Sequence, residues 1–285
     1  MFKNKNILIL LFSLLIQGIN AQEIIPFRIT KHNNIIVKAL VNNKDSLDLM
    51  FQIAMEDASI SPEKTKPANS ITFDKNETSE NNSVKIGNKE WKNIKFYDNE
   101  LTGHEADGKI GKGIFSGKTF KIDYDKNQFV IYDTLPDIKG YKEISYILNK
   151  EGQIYIIGES LIDNELIETS FLLQSGYSGG LLYSNQFADA KNLGGKLKIT
   201  GEKTLKNSYG QSITTKQGIL PALTIGGFTL KNVSAGFFSG ELKTQKTSYF
   251  GADLMRRFNW IFDAETERIY IAQSKYFNEP YFKLN

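Results

Sequence analysis

A chain of 285 residues without a single cysteine can hold no disulfide framework, no thiolate nucleophile and no cysteine-built zinc cluster. Its 35 Lys and Arg are scattered among 32 Asp and Glu, which gives no basis for binding nucleic acid or an anionic membrane surface. Nineteen Phe and 13 Tyr, together with many Ile, favour strands over helices.

At the amino terminus, Lys3 and Lys5 precede an apolar run from Ile7 to Ile16 (ILILLFSLLI). Gly18-Ile19-Asn20-Ala21 then supplies small residues before a cut between Ala21 and Gln22. The run is too short for a bilayer, which needs roughly 20 apolar residues. It reads as a cleaved signal peptide over residues 1–21, so the chain is expected to be exported, to the periplasm or outside the cell. Removing 21 residues from 285 leaves 264, with 33 basic residues against 32 acidic ones and no second stretch apolar enough to span a membrane.

Short apolar stretches punctuated by Gly, Asn and Asp-Lys pairs follow, among them Ile35 to Val41, Leu47 to Ile53, Phe120 to Tyr124 and Phe129 to Tyr132. This punctuation predicts strands joined by turns. Met55 to Asn82 is polar, holds Pro62 and Pro67, and predicts a surface excursion. Ala190 to Gly218 predicts irregular or short helical structure around one strand, Lys196 to Thr200. A brief helix is expected at Phe187 to Asn192.

The chain repeats itself once. Val84-Lys85-Ile86-Gly87 with Lys92-Asn93-Ile94 parallels Leu223-Thr224-Ile225-Gly226 with Lys231-Asn232-Val233. Farther on, Gly111 and Asp123 have the same separation as Gly251 and Asp263. Four matches in order argue for a duplicated fold of two β lobes, residues 22–140 and 141–285, with the boundary near Asp137 to Tyr146. In each half a buried strand runs into a turn, Met50-Phe51-Gln52-Ile53-Ala54 in the first and Phe171-Leu172-Leu173-Gln174-Ser175-Gly176 in the second.

These segments resemble the bacterial secreted relatives of the retropepsin and pepsin families of aspartic proteases. Leu173-Gln174-Ser175-Gly176 resembles the family's apolar strand entering Asp-Thr-Gly, and Tyr249-Phe250-Gly251 its later apolar-apolar-Gly segment. Asp107-Gly108-Lys109-Ile110-Gly111 resembles Asp-Gly-apolar-apolar-Gly, with Lys109 breaking the apolar pair. The resemblance covers nearly all of residues 30 to 275 and implies an all-β, bilobal acid-protease fold. It also implies that both catalytic aspartates are replaced, by Gln52 and Gln174.

In such an enzyme two carboxylates share a proton and activate a water, and an amide cannot accept that proton. Ser175 keeps the hydroxyl that ties the family's two turns together, whereas Ile53 cannot supply one and Ala54 stands where glycine is expected. Asp57 and Glu56 are the nearest carboxylates that could substitute. Asp123 and Asp263 precede hairpin turns, where acidic side chains cap backbone groups; Asp107 and Asp253 are expected to be turn or support residues. With His32 and His104 both in the first half, no Ser-His site is expected at Ser178, and Gly117-Lys118-Thr119 lacks the glycine spacing of a phosphate loop. No cofactor and no metal are expected.

The function expected from these residues is that of an inactive aspartic-protease homologue binding an extended peptide in an interlobe cleft, at Gln52, Ile53, Ala54, Gln174, Ser175 and Gly176. Two alternatives stay open: an active endopeptidase with a relocated carboxylate, and a structural or assembly scaffold.

Overall fold

The computed structural model describes residues 22–103, 105–206, 212–240 and 244–283, so the signal segment and His104 lie outside the described residues. The short β-branched and aromatic runs pair into three sheets. One lobe is a seven-stranded sheet in the order Arg28–Ile29, Ile35–Val41, Asp45–Gln52, Gly108–Gly111, Ala58–Ile60, Lys89–Tyr97 and Thr78–Ile86. The last of these returns to pair with Ile35–Val41. The other is an eight-stranded sheet in the order Tyr146–Leu148, Ile154–Ile162, Glu165–Gln174, Tyr249–Gly251, Leu181–Leu182, Phe228–Gly240, Ser212–Ile225 and Lys198–Lys206. It too curls back, by pairing Ile154–Ile162 with Ser212–Ile225.

A six-stranded sheet draws on both halves of the chain: Glu23–Pro26, Gln128–Tyr132, Thr119–Asp123, Phe258–Asp263, Arg268–Gln273 and Lys142–Ile144. Aromatic rings knit it to the first lobe. Phe51 meets Phe129 at 4.8 Å, Phe115 stacks on Phe120 at 4.2 Å, and Phe120 stacks on Phe262 at 4.7 Å. Phe51 is fully buried and directly precedes Gln52, so this packing fixes where the first turn begins.

The paired Gly and Asn of the sequence repeat have a common conformational cause. Gly87 and Gly226 occupy the hairpin turns at φ +60° and +54°, and Asn93 and Asn232 sit in the following strands at φ 60° and 53°. Left-handed backbone favours Gly, and Asn more than other side chains. Both asparagines lie at breaks in strand register, as β-bulge residues do.

Three expectations need correction. Met55 to Asn82 is a surface excursion only in its middle, where residues 62–65 and 74–77 are exposed: Ala58–Ile60 is a fully buried strand and Thr78–Ile86 a nine-residue strand. Asn82 enters the core because its amide is satisfied: it donates to the Ser79 and Ile94 carbonyls and accepts from Asn42. Ala190 to Gly218 is largely a long hairpin of Lys198–Lys206 and Ser212–Ile225. Residues 198 and 200 to 204 are solvent-exposed, so no apolar alternation announces the strand. The helix runs Asn185–Ala190, two residues earlier than expected, because the Ser184 hydroxyl caps it by accepting from the Phe187 N–H.

Candidate functional site

Gln52 and Gln174 each end a strand that lies parallel to a glycine-bearing strand, Gln52 opposite Gly111 and Gln174 opposite Gly251. Each then opens a tight turn, with Met55 N–H bonded to the Gln52 carbonyl and Tyr177 N–H to the Gln174 carbonyl, both at 3.1 Å. The returning strands cross the glycine strands antiparallel, Ala58 opposite Ile110 and Leu181 opposite Phe250. Neither glycine can be replaced: a Cβ on Gly111 would stand 2.5 Å from the Glu56 carbonyl oxygen, and one on Gly251 2.3 Å from that of Gly179.

The two glutamine side chains converge. A Cβ on Gly176 would lie 2.6 Å from Gln52 Nε2 and 3.5 Å from Gln174 Oε1, so glycine there leaves room for both amides to reach the same space. Gln52 is buried, and its Oε1 accepts from the Ser175 hydroxyl at 3.0 Å and from Gly176 N–H at 3.2 Å. Two donors on that oxygen fix which end of the amide faces Gly176. Gln174 Oε1 is buried without a hydrogen-bond partner among the described residues. The pair is therefore neutral, offering donors and acceptors but no group that takes up a proton reversibly.

Ser175 carries the bond between the turns. Its hydroxyl accepts from Ile53 N–H at 3.0 Å, and its one proton is shared between Gln52 Oε1 and the nearer Phe51 carbonyl at 2.8 Å. Ile53 is buried and returns no such bond, while Ala54 offers only its carbonyl. The return ties come from residues that the sequence reading missed. Asn34 Nδ2 donates to the Ser175 carbonyl at 2.8 Å, Asn33 Nδ2 to that of Ser178 at 3.0 Å, and Gln153 Nε2 reaches the Ala54 carbonyl at 3.5 Å. Asn34 and Gln153 close matching turns, Thr30 to Asn34 and Asn149 to Gln153, with the same backbone bonds in each. A carboxamide ending the first hairpin turn of each half is the signal that could have found them.

The other candidate residues are engaged elsewhere. Glu56 pairs with Lys112, and the Asp57 carboxylate lies 3.5 Å from the Tyr97 hydroxyl. Asp123 accepts from Lys126 N–H and pairs with Lys121; Asp263 accepts from the Thr119 hydroxyl at 2.8 Å and from two backbone N–H groups. The Ser178 carbonyl holds Asn33, and the His32 ring packs edge-on against Phe282 at 5.7 Å. Burial pushes the Tyr177 hydroxyl up to about 12, so this residue of the second turn stays neutral. Among the described residues no group of three or more His, Cys, Asp or Glu could hold a metal ion.

Asp107 ties the strand that leads into the first turn to the Thr65-Lys66 segment. Burial alone would raise its pKa, but N–H groups of Asp48, Thr65 and Lys66 and the Thr65 hydroxyl outweigh it and hold the carboxyl below its ordinary 3.8. A depressed folded pKa gives stability that is present above the unfolded value and is lost as pH falls through the folded one. Asp107→Asn is expected to cost about 1–3 kcal/mol at neutral pH. Urea titrations should show that difference shrinking once the pH drops below the ordinary value of 3.8; a difference independent of pH would contradict it.

Comparison with known proteins finds likeness among solved structures. The crystal structure of aspartic proteinase from Irpex lacteus superposes with a TM-score of 0.56 over 91% of this chain and 99% of that one, at 13% identity. The fold is that of a pepsin-like aspartic protease. No family model matches the sequence, and no curated protein does. At this identity the likeness extends to the pepsin-like fold and not to its chemistry. Among the described residues no helix is long and apolar enough to cross a membrane.

Proposed function

We propose that this is an exported, catalytically inactive member of the pepsin-like fold that binds extended peptide in the cleft between lobes 22–140 and 141–285. The observation that carries the reading is the meeting of Gln52 and Gln174 beside Gly176, at the ends of strands with matching partners. Such recurrence in both lobes supports a duplicated origin and a paired loss of the carboxylates. The former dyad site then comprises Gln52, Ile53, Ala54, Gln174, Ser175 and Gly176. A strand-like ligand pairs through its backbone and needs no catalytic acid. A signal peptide over residues 1–21 supports delivery to the periplasm or the cell exterior.

Two measurements test the reading. Diverse unfolded peptides incubated with the mature protein from about pH 3 to about pH 8 are expected to remain uncut by mass spectrometry, because neither amide titrates in that range. Peptides retained on the immobilised protein are expected to bind without the pH dependence that a carboxylate pair would impose. Cleavage that disappears in Asp57→Asn would instead establish a relocated carboxylate, and retention of no peptide at all would leave only a scaffold.

A further inference from the structure

We infer that Gln22 becomes a pyroglutamyl residue once the chain is exported, which caps the strand that begins the six-stranded sheet. The inference rests on the signal-peptide reading above, since cutting between Ala21 and Gln22 makes Gln22 the first residue and frees its α-amino group. That amine has an ordinary pKa near about 8, so a useful fraction is unprotonated at neutral pH. Its nitrogen attacks Cδ of the same residue's carboxamide. A C–N bond closes a five-membered lactam, the Cδ–Nε2 bond breaks, and ammonia leaves with the proton that the amine gives up. No oxidant or co-reactant is required.

The structure leaves both reacting groups available. Gln22 is exposed and lies just outside the sheet, whose pairing begins one residue later with Glu23 opposite Ile131. No hydrogen bond among the described residues holds its backbone or its side chain. A residue within the ladder would have its nitrogen fixed against the neighbouring strand; this one is free to fold back on itself.

The same geometry shows what the cap protects. Glu23–Pro26 is the outermost strand of its sheet, paired on one side only. Ile25, three residues from the new terminus, is fully buried, and Phe27 meets Phe129 at 4.9 Å. An aminopeptidase working inward from Gln22 would reach a core side chain within four cuts. A lactam presents no primary amine for such an enzyme to bind.

The mature protein, purified after export, is tested by intact mass and by sequencing its first tryptic peptide. The expected result is a chain starting at residue 22, lighter than its Gln22 form by one ammonia and unblocked by a pyroglutamyl aminopeptidase. A Gln22 terminus that keeps its free amine after prolonged incubation at neutral pH would overturn the lactam and leave export intact. Any other first residue would overturn the cut on which both readings rest. Gln22→Ala changes only an exposed position, so the variant should fold as the parent does, yet be shortened by a broad aminopeptidase that leaves the parent whole. Equal trimming of the two would refute the protective role.

Discussion

Replacing Arg257 by methionine is expected to destabilise the protein by about 3–5 kcal/mol, the range for removing one partner of a buried ion pair. Arg257 is 1% exposed, and it joins the carboxy-terminal segment to the second lobe. Its Nη1 donates to the carbonyls of Tyr276, Phe277 and Glu279, and its Nη2 to that of Pro280. The Tyr281 ring lies 3.9 Å from the guanidinium carbon. Beneath this sits Asp253, fully buried, which accepts from Phe282 N–H at 2.8 Å and faces both Arg256 and Arg257. Asp253 belongs to the short helix Ala252–Met255, which starts directly after Gly251, the residue opposite Gln174. The tail thus buttresses the strand that supports the second turn. Methionine would fill the volume but leave at least four carbonyls without their donor and Asp253 with one cation fewer. Arg257→Lys should recover little of the loss, because a single ammonium cannot reproduce a planar fork that reaches four carbonyls at once. An unfolding free energy from urea titration within about 1 kcal/mol of the parent's for the methionine variant would show that these bonds are replaceable by water.

What the sequence disclosed follows from which forces leave a local mark. Gly87 and Gly226 need positive φ, and Gly111 and Gly251 need bare Cα atoms, so the repeat could be read from glycine spacing. The strand ends before Gln52 and Gln174 were legible because Leu49-Met50-Phe51 and Phe171-Leu172-Leu173 are buried on both faces and therefore apolar. The hairpin of Lys198–Lys206 with Ser212–Ile225 was not, since its outer strand faces water and its Thr, Lys and Glu carry no period. Asn82 misled for the opposite reason: an amide that makes its bonds inside a sheet looks in sequence like one that belongs to a loop. At the site, the turn positions were readable but the ties across it were not. Asn33, Asn34 and Gln153 act on the other lobe, more than 90 residues away in the chain, and nothing local distinguishes them from ordinary turn residues.

Those ties make Ser175→Ala the sharpest test of how the two turns are held. The hydroxyl is 1% exposed and serves Ile53 N–H, Phe51 carbonyl and Gln52 Oε1, all from the other lobe. Alanine fills nearly the same space, so the variant removes bonds without opening a cavity. It leaves the Ile53 N–H buried and unpaired, and each such group costs about 1–3 kcal/mol. Counting the lost donor as well, the expected destabilisation is about 2–4 kcal/mol in urea titrations. Ser175→Thr keeps the hydroxyl and should retain more than half of the stability that alanine forfeits. The asymmetry of the grip sharpens the comparison. Because Ile53 returns no hydroxyl, there is no second copy of the bond to compensate, and Ile53→Thr is expected to add at most a fraction of what Ser175→Ala removes. If the alanine variant matched the parent, the carboxamides of Asn33, Asn34 and Gln153 would suffice to hold the turns together. Gln52 would then be positioned by Gly176 N–H and by packing of Phe51 rather than by Ser175.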